Sequence, residues 1–164
     1  MILLVMGVAG SGKSMVAAEI ARLAGWRLVE GDDLHPDSNR QKMMAGTPLA
    51  DEDRWPWLDR IGAELAEAAA ADQAVVITCS ALKRSYRDRL RGNCPDMRFL
   101  MLHGSEALLQ SRISSRTDHF MPSTLLPSQL ATLELPGAGE ADVTMMDIGP
   151  PVAQIALDFL GRKT

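Results

Sequence analysis

The pattern of apolar and polar positions near the amino end predicts a strand followed by a helix. Residues Ile2–Met6 form an uninterrupted apolar run that a glycine stops, which is typical of a strand buried on both faces. Beyond the glycine-rich stretch the spacing becomes helical, with Val16, Ile20 and Leu23 on or near one face. Gly25 stands where that helix is expected to end. We therefore predict a strand, a loop and a helix in this order.

The same two patterns alternate along the rest of the chain. Further strands are predicted at 27–30, 74–79, 98–102 and 143–147, and helices at 38–45, about 56–71, 85–90, 105–116, 123–133 and 151–160. Parallel strands need crossover connections, and the intervening helices supply them. The pattern therefore predicts an α/β protein in which helices cover both faces of a five-stranded parallel sheet.

Length and composition restrict the classes of protein to be considered. The 164 residues, 46% of them hydrophobic, suit one domain spanning residues 1–164. The net charge of −4 and the 4% aromatic content argue against a general nucleic-acid binder. No apolar run approaches the ~20 residues that cross a bilayer, and no basic leader precedes the first strand. With only two cysteines, the chain is expected in the reducing cytoplasm, without membrane or nucleic-acid partners.

The glycine-rich stretch matches a phosphate-binding loop. Residues 7–14 follow the Walker A pattern of glycine, four residues, glycine, lysine and a hydroxyl residue, and the strand and helix around them make a chance match a poor alternative. Backbone amides of such a loop hold nucleotide phosphates. Lys13 would contact the β- and γ-phosphates of ATP, and Ser14 would bind Mg²⁺. The predicted nucleotide-binding residues here are Gly7, Ala9, Gly10, Ser11, Gly12, Lys13, Ser14 and Met15.

Kinases, switches, motors and regulatory subunits share this loop, so the acceptor site must decide between them. A polar stretch, 30–36, follows the second predicted strand, at the edge of the sheet where α/β proteins bind ligands. Two acidic residues, Asp32 and Asp33, and His35 are therefore expected to face the phosphate loop. The third strand ends without an acidic residue, so the usual Walker B aspartate is absent there. That absence weakens the motor and switch interpretations.

At these residues the chain resembles the gluconate kinases of the shikimate-kinase-like group of P-loop enzymes. The resembling stretches cover almost the whole chain in order: 6–14, 31–36, 39, 42–43, 46–49, 51–58, 79–84, 86–88, 119–120, 132–134 and 147. Gly-Asp-Asp-Leu-His-Pro at 31–36, together with Cys-Ser-Ala-Leu-Lys at 79–83, is the most specific part. The resemblance implies a three-layer P-loop kinase fold with a small lid at about 112–124. It also implies phosphoryl transfer from ATP to the 6-hydroxyl of gluconate, and a homodimer is common in the family.

The resemblance implies roles for the residues after the second strand. Asp32 would orient the acceptor hydroxyl and take its proton, as an aspartate at this place does in the related shikimate kinases. Glu30 would act through water on the magnesium shell. A capping or turn role is the alternative for Asp32 and Asp33. His35 would donate hydrogen bonds to gluconate or carry charge toward its carboxylate, and the alternative is an ordinary loop histidine.

Gluconate is an anion, so a cation is expected to meet its carboxylate, and a guanidinium suits that task best. The available cations are Arg54, Lys83, Arg84 and Arg87. Lys83 and Arg87 lie one helical turn apart and can point the same way. For Arg89 and Arg91 we favour a solvated helix face with ion pairs. The predicted substrate-binding residues are Asp32, His35, Arg54, Ser80, Lys83 and Arg87, and the predicted metal-binding residues are Ser14 and Glu30.

Two arginines mark the predicted lid. Arg112 and Arg116 lie one helical turn apart, before a polar-to-apolar loop at 117–122. In related kinases this place is the lid, whose closure brings arginine charge to the transferring phosphoryl group. Arg116 is the first candidate for that role and Arg112 the second. The alternative is that these cations stabilise the negative end of a helix.

Three hypotheses are compatible with this sequence. The chain is a gluconate kinase, a kinase of the same fold with another acceptor, or a nucleotide-binding regulatory module without turnover. Shikimate kinases usually carry a glycine-rich end on the third strand, where Cys-Ser-Ala stands here at 79–81. The regulatory module would be favoured if Lys13 or Asp32 were missing, and both are present. The predicted catalytic residues are Lys13, Asp32 and Arg116.

Overall fold

Five parallel strands form the centre of the computed structural model, which describes residues 1–115 and 125–162. The strands are β1 (Ile2–Met6), β2 (Arg27–Val29), β3 (Val75–Thr78), β4 (Arg98–His103) and β5 (Val143–Asp147), and their order in the sheet is β2-β3-β1-β4-β5. Every neighbouring pair is parallel. The prediction of a five-stranded parallel sheet is confirmed, with strand ends that differ from the predicted ones by at most one residue.

Seven α-helices are found in the described residues. They are α1 (Lys13–Ala24), α2 (Asp37–Met44), α3 (Asp51–Ala70), α4 (Arg84–Asn93), α5 (Glu106–Ser114), α6 (Leu126–Thr132) and α7 (Val152–Gly161). Helix α1 packs against α7 and helix α3 against α4, and the helices flank the sheet in a three-layer arrangement. None of the helices in the two described ranges has the length and apolar character that crossing a bilayer requires.

Helix α3 begins five residues before the predicted start at Pro56. Its first turn carries three acidic residues, which interact favourably with the positive end of a helix. The Asp53 carboxylate accepts the Ala50 N–H at 2.9 Å, so the backbone just before the helix has a partner. The predicted start at about residue 56 was therefore too late, and the helix accommodates Pro56 in its second turn.

The sheet places three strand ends at one edge. Strand β1 is completely buried and lies between β3 and β4. Because the strands are parallel, the loop after β1, the turn after β2 and the segment after β3 leave the sheet on the same side. Two hydrogen bonds join them: Gly7 N–H donates to Ser80 O at 3.3 Å, and Gly31 N–H donates to Thr78 Oγ1 at 3.0 Å.

Candidate active site

The loop between β1 and α1 is held against the core. A side chain at Gly7 would be excluded, because its Cβ would lie 2.6 Å from Leu102 O, and the Gly7 φ is +143°. Helix α1 begins at Lys13, so its first amides point back into the loop. The Lys13 ammonium donates to Val8 O at 3.1 Å and so lies over the loop. The loop therefore presents backbone donors and one ammonium group to the same space.

The turn after β2 approaches the third strand very closely. A Cβ on Gly31 would lie only 1.8 Å from Thr78 O, so no other residue fits there without moving the backbone. Residues Gly31–Leu34 form a short 3-10 turn, which directs Asp32 toward the phosphate loop. Trp57 fixes this turn from below, because its Nε1 donates to Gly31 O at 2.7 Å.

One cavity of about 330 Å³ joins the phosphate loop to the turn after β2. Its wall includes Ala9, Gly10 and Gly12 of the loop. It also includes six of the residues predicted to act on metal, phosphate or acceptor: Lys13, Ser14, Asp32, His35, Arg54 and Ser80. Apolar surface comes from Met43, Pro48 and Leu49, at the end of α2 and in the loop that follows. Lys13 and Asp32 therefore face a common space. Transfer of a phosphoryl group from a nucleotide held at Lys13 to an acceptor held at Asp32 requires this arrangement.

A second cavity of about 420 Å³ lies on the other side of the phosphate loop. Met15 and Arg112 line it, together with an apolar wall from the start of α7. Gly10 and Gly12 line both cavities. The Arg112 guanidinium donates to Ile148 O at 2.6 Å, which holds it at this second cavity. The loop thus separates an apolar space from the polar space that contains Asp32.

His35 is buried and electrically neutral in this fold. Burial lowers the pKa of its imidazole to about 3, and the charges of Arg54 and Arg40 add to the effect. The ring stacks on Trp57 with centroids 4.0 Å apart. Its Nδ1 lies 3.2 Å from the Asn39 amide nitrogen and accepts from it, so the proton is on Nε2, 3.9 Å from Asp32 Oδ1. The expectation that His35 carries charge toward the carboxylate is therefore wrong at neutral pH. The other expectation, that His35 donates a hydrogen bond, fits an Nε2–H group at the cavity wall.

Arg54 places a guanidinium at the wall of this cavity. The residue is 7% exposed, and among residues 1–115 and 125–162 it has no carboxylate within ion-pair distance. Its Nε is buried without a hydrogen-bond partner in the same ranges. The guanidinium lies over the Tyr86 ring, 5.5 Å from its centroid. A buried guanidinium that faces a cavity without a counter-ion is suited to an anionic ligand.

Arg87 is not in the cavity wall, and the expectation that it binds substrate is wrong for this structure. The side chain is completely buried, and its Nε and Nη2 donate to the two carboxylate oxygens of Glu140 at 2.6 and 2.7 Å. Its Nη1 donates to the backbone carbonyls of Ala81 and Glu134. The pKa of Glu140 falls to about 2, mainly because of the hydrogen bond from Arg87. Arg87 therefore ties α4 to two loops.

Lys83 points elsewhere than Arg87, so the two do not act as a pair. Its ammonium donates to the Asp51 carboxylate at 2.9 and 3.1 Å, and Tyr86 donates a further hydrogen bond to Asp51. Neither Lys83 nor Asp51 lines the cavity. The interpretation of Arg89 and Arg91 as ion-paired residues fits, since Arg89 pairs with Asp59 and Arg91 with Asp142. Arg116 and residues 117–124 of the predicted lid lie outside the described residues.

Two residues that the sequence analysis did not select belong to this site. Thr78 Oγ1 donates to Glu30 Oε2 at 2.7 Å, and a hydroxyl at the end of an apolar strand was a signal for it. Gln129, on α6, accepts the Ala9 N–H at 2.7 Å through its Oε1. No local pattern indicated Gln129, because the two residues are 120 positions apart.

Comparison with known proteins agrees with this geometry. The family model described as AAA domain matches residues 2–136. The gluconokinase of Gluconobacter oxydans is 51% identical over 84% of this chain and 78% of its own length. The thermosensitive gluconokinase of Escherichia coli is 41% identical over 93% of this chain and 81% of its own length.

Solved structures give the same result. A gluconokinase from Sinorhizobium meliloti is 50% identical with a TM-score of 0.86, covering 98% of this chain and 91% of its own. A shikimate kinase from Aquifex aeolicus, 14% identical, has a TM-score of 0.60 over 98% of this chain and 94% of its own, which shows the common fold alone. The prediction of a P-loop kinase fold is confirmed, and this chain belongs to the gluconokinase family.

Proposed function

We propose that the protein transfers the γ-phosphoryl group of ATP to the 6-hydroxyl group of D-gluconate, with Mg²⁺ as the metal ion. The observation that carries the proposal is Arg54, a buried guanidinium at the cavity wall with no carboxylate within ion-pair distance in the described ranges. An anionic acceptor would supply the missing charge. A sugar acid provides a carboxylate at one end and a primary hydroxyl at the other, so it can reach Arg54 and Asp32 together.

The two cavities suggest how ATP lies on the protein. The cavity lined by Met15, Arg112 and the start of α7 is the more apolar of the two and would receive the nucleoside. Gly10 and Gly12, which line both cavities, would contact the phosphates between them. The terminal phosphoryl group would then enter the cavity that contains Lys13 and Asp32. Lys13 would turn from Val8 O toward the β- and γ-phosphates.

The chemistry is an in-line displacement at the γ-phosphorus. The 6-oxygen of gluconate forms a bond to phosphorus while the bond to the β,γ-bridging oxygen breaks and ADP leaves. Asp32 accepts the proton of the 6-hydroxyl, and the Nε2–H of neutral His35 donates to an acceptor oxygen. Ser80 offers a further hydroxyl at the cavity wall. Because the transition state is loose, orienting the reactants provides most of the catalysis.

Ser14 and Glu30 form a group of oxygens that fits Mg²⁺. The Ser14 hydroxyl and the Glu30 carboxylate are 3.0 Å apart at the edge of the cavity, and hard cations prefer oxygen ligands. No cluster of three or more acidic, histidine or cysteine residues able to hold an ion occurs in the part of the chain that the structure describes. Ser14 would therefore bind the ion directly and Glu30 through water, with phosphate oxygens as further ligands. When bound, the ion neutralises charge on the β- and γ-phosphates.

We also propose a cytoplasmic homodimer. Cys79 and Cys94 are both buried free thiols, which suits a reducing compartment. The dimer rests on its frequency in the family. Light scattering coupled to gel filtration tests it, because a dimer has twice the 17.8 kDa mass of the chain.

An acceptor panel tests the proposed reaction. ADP release would be measured with ATP, Mg²⁺ and each of D-gluconate, other aldonic acids, shikimate, nucleoside monophosphates and sorbitol. We expect release with gluconate and none with sorbitol, which lacks the carboxylate for Arg54. Release only with a different acceptor would show another kinase of this fold. Nucleotide binding without release from any acceptor would indicate the regulatory module.

A further inference from the structure

The Gln129 side chain is hydrogen-bonded to a backbone amide of the phosphate loop, on the acceptor side of the nucleotide site. Its Oε1 accepts the Ala9 N–H at 2.7 Å, which is a short and well-formed hydrogen bond. Ala9 belongs to the phosphate loop, whose backbone amides are the groups that bind phosphate oxygens. The amide oxygen of Gln129 therefore stands where a phosphate oxygen is expected.

The position of Ala9 shows which phosphate that would be. Ala9 lines the cavity with Asp32 but not the cavity with Arg112, whereas Gly10 and Gly12 line both. A nucleotide with its base beside Arg112 and its reacting end beside Asp32 brings its terminal phosphoryl group closest to Ala9. ADP, which lacks that group, does not extend as far.

Helix α6 keeps Gln129 in this place. Leu126 of this helix is completely buried, and the Thr132 hydroxyl donates to Ser128 O at 2.8 Å. Just beyond the helix, Glu134 N–H donates to Leu82 O at 2.8 Å, and the Glu134 carboxylate accepts the Arg84 N–H at 2.7 Å. The helix is therefore fixed at its carboxyl end to the segment that follows Ser80.

We propose that Gln129 is a specificity-determining residue that holds the Ala9 amide until the terminal phosphoryl group of a nucleoside triphosphate displaces it. A phosphate oxygen is charged and forms a stronger hydrogen bond than a neutral amide oxygen, so it displaces Gln129 from the Ala9 amide. The diphosphate leaves the contact between Gln129 and Ala9 in place. This inference rests on the proposed use of ATP.

The test compares the binding of a non-hydrolysable ATP analogue, AMPPNP, with that of ADP by calorimetry, without acceptor. Gln129→Glu places a carboxylate at the Ala9 amide, so we expect the AMPPNP Kd to rise on the order of tenfold to a hundredfold. Gln129→Leu removes the competing oxygen, so we expect the AMPPNP Kd to fall about two- to tenfold. The ADP Kd stays within about twofold in both variants, since the ADP contacts do not include Ala9.

Gln73→Glu is the matched control, because it adds the same charge at an exposed position just before β3, at the opposite edge of the sheet. We expect it to leave both Kd values unchanged. An unchanged ratio of AMPPNP to ADP affinity in the Gln129 variants, an equal loss for both nucleotides, or weaker AMPPNP binding by Gln129→Leu would overturn the inference. If the wild-type protein bound neither nucleotide, the proposed function itself would fail.

Discussion

The Ser14 hydroxyl donates to Glu30 Oε2 across 3.0 Å, and Thr78 donates to the same oxygen at 2.7 Å. One carboxylate oxygen thus links the first turn of α1 with the end of β3. Glu30 thus accepts from the hydroxyl that the proposed magnesium ion would use. Thr78 would keep Glu30 in position if Ser14 turned to the ion.

Replacing Glu30 is expected to change the magnesium requirement. In Glu30→Gln we expect the Mg²⁺ concentration for half-maximal activity to rise about tenfold, because residues that orient a metal's ligands typically contribute this much to affinity. The measurement is a Mg²⁺ titration of ADP release at saturating gluconate. Glu67→Gln, an exposed carboxylate on α3, serves as the control. An unchanged requirement in Glu30→Gln would contradict the role.

Asp32 and Asp33 provide a matched pair for the base. Asp32 lines the cavity, whereas Asp33 is exposed on the same 3-10 turn. Asp32→Asn should lower kcat on the order of 100-fold or more, since a positioned base typically contributes that much, with the Kd of ATP changed little. Asp33→Asn should retain wild-type kcat. The assignment fails if both variants lose activity equally, or if Asp32→Asn weakens ATP binding as much as it slows turnover.

His35 makes a defined contribution to the pH dependence of stability. Its pKa is about 3 in the fold and 6.5 in the unfolded chain, so between these values only the unfolded chain binds the proton. The contribution is complete above pH 6.5 and is lost as the pH falls toward 3. From about pH 6 to about pH 4, the wild-type free energy of unfolding should fall more steeply than that of His35→Gln, by up to ~1.4 kcal/mol per pH unit. Urea unfolding at several pH values measures both slopes, and parallel slopes would refute the prediction.

Arg87 is expected to affect stability first. Arg87→Met leaves the Glu140 carboxylate buried without its main partner, which costs about 3–5 kcal/mol. Urea unfolding at neutral pH gives this loss. The double variant Arg87→Met and Glu140→Met should recover part of it, because the buried carboxylate, which Arg91 compensates only in part, is then gone. A double variant less stable than the single one would show that the contact with Arg91 is enough to stabilise Glu140.

The sequence predicted the parts of the protein that depend on local pattern. The strand at Ile2–Met6 and the phosphate loop that follows were identified because each has a pattern contained in a few consecutive residues. The stretch after the second strand was placed at the site because parallel strands end at one edge. Local pattern and strand direction were therefore sufficient to predict that Lys13 and Asp32 face one cavity.

The errors arose where the partner of a side chain lies far away in the sequence. Arg87 was selected for substrate because it lies one helical turn from Lys83. Its partner in the structure, Glu140, is 53 positions later and has no signature in the local sequence. The sequence does not distinguish Arg54 from Arg87 in this respect. Only the fold shows that Arg87 pairs with Glu140, whereas Arg54 faces the cavity. The contact of Ala9 with Gln129 was missed for the same reason.

A comparison of a charged acceptor with its neutral analogue tests whether Arg54 binds the gluconate carboxylate. In Arg54→Met we expect kcat/KM for gluconate to fall on the order of 100-fold, because a charged hydrogen bond to the carboxylate is lost. The value for gluconamide, which lacks the charge, should change less than about threefold, by the same argument. Arg84→Met, an exposed arginine, should leave both values unchanged. An equal loss for both acceptors, or no loss for gluconate, would contradict the assignment of Arg54 to the carboxylate.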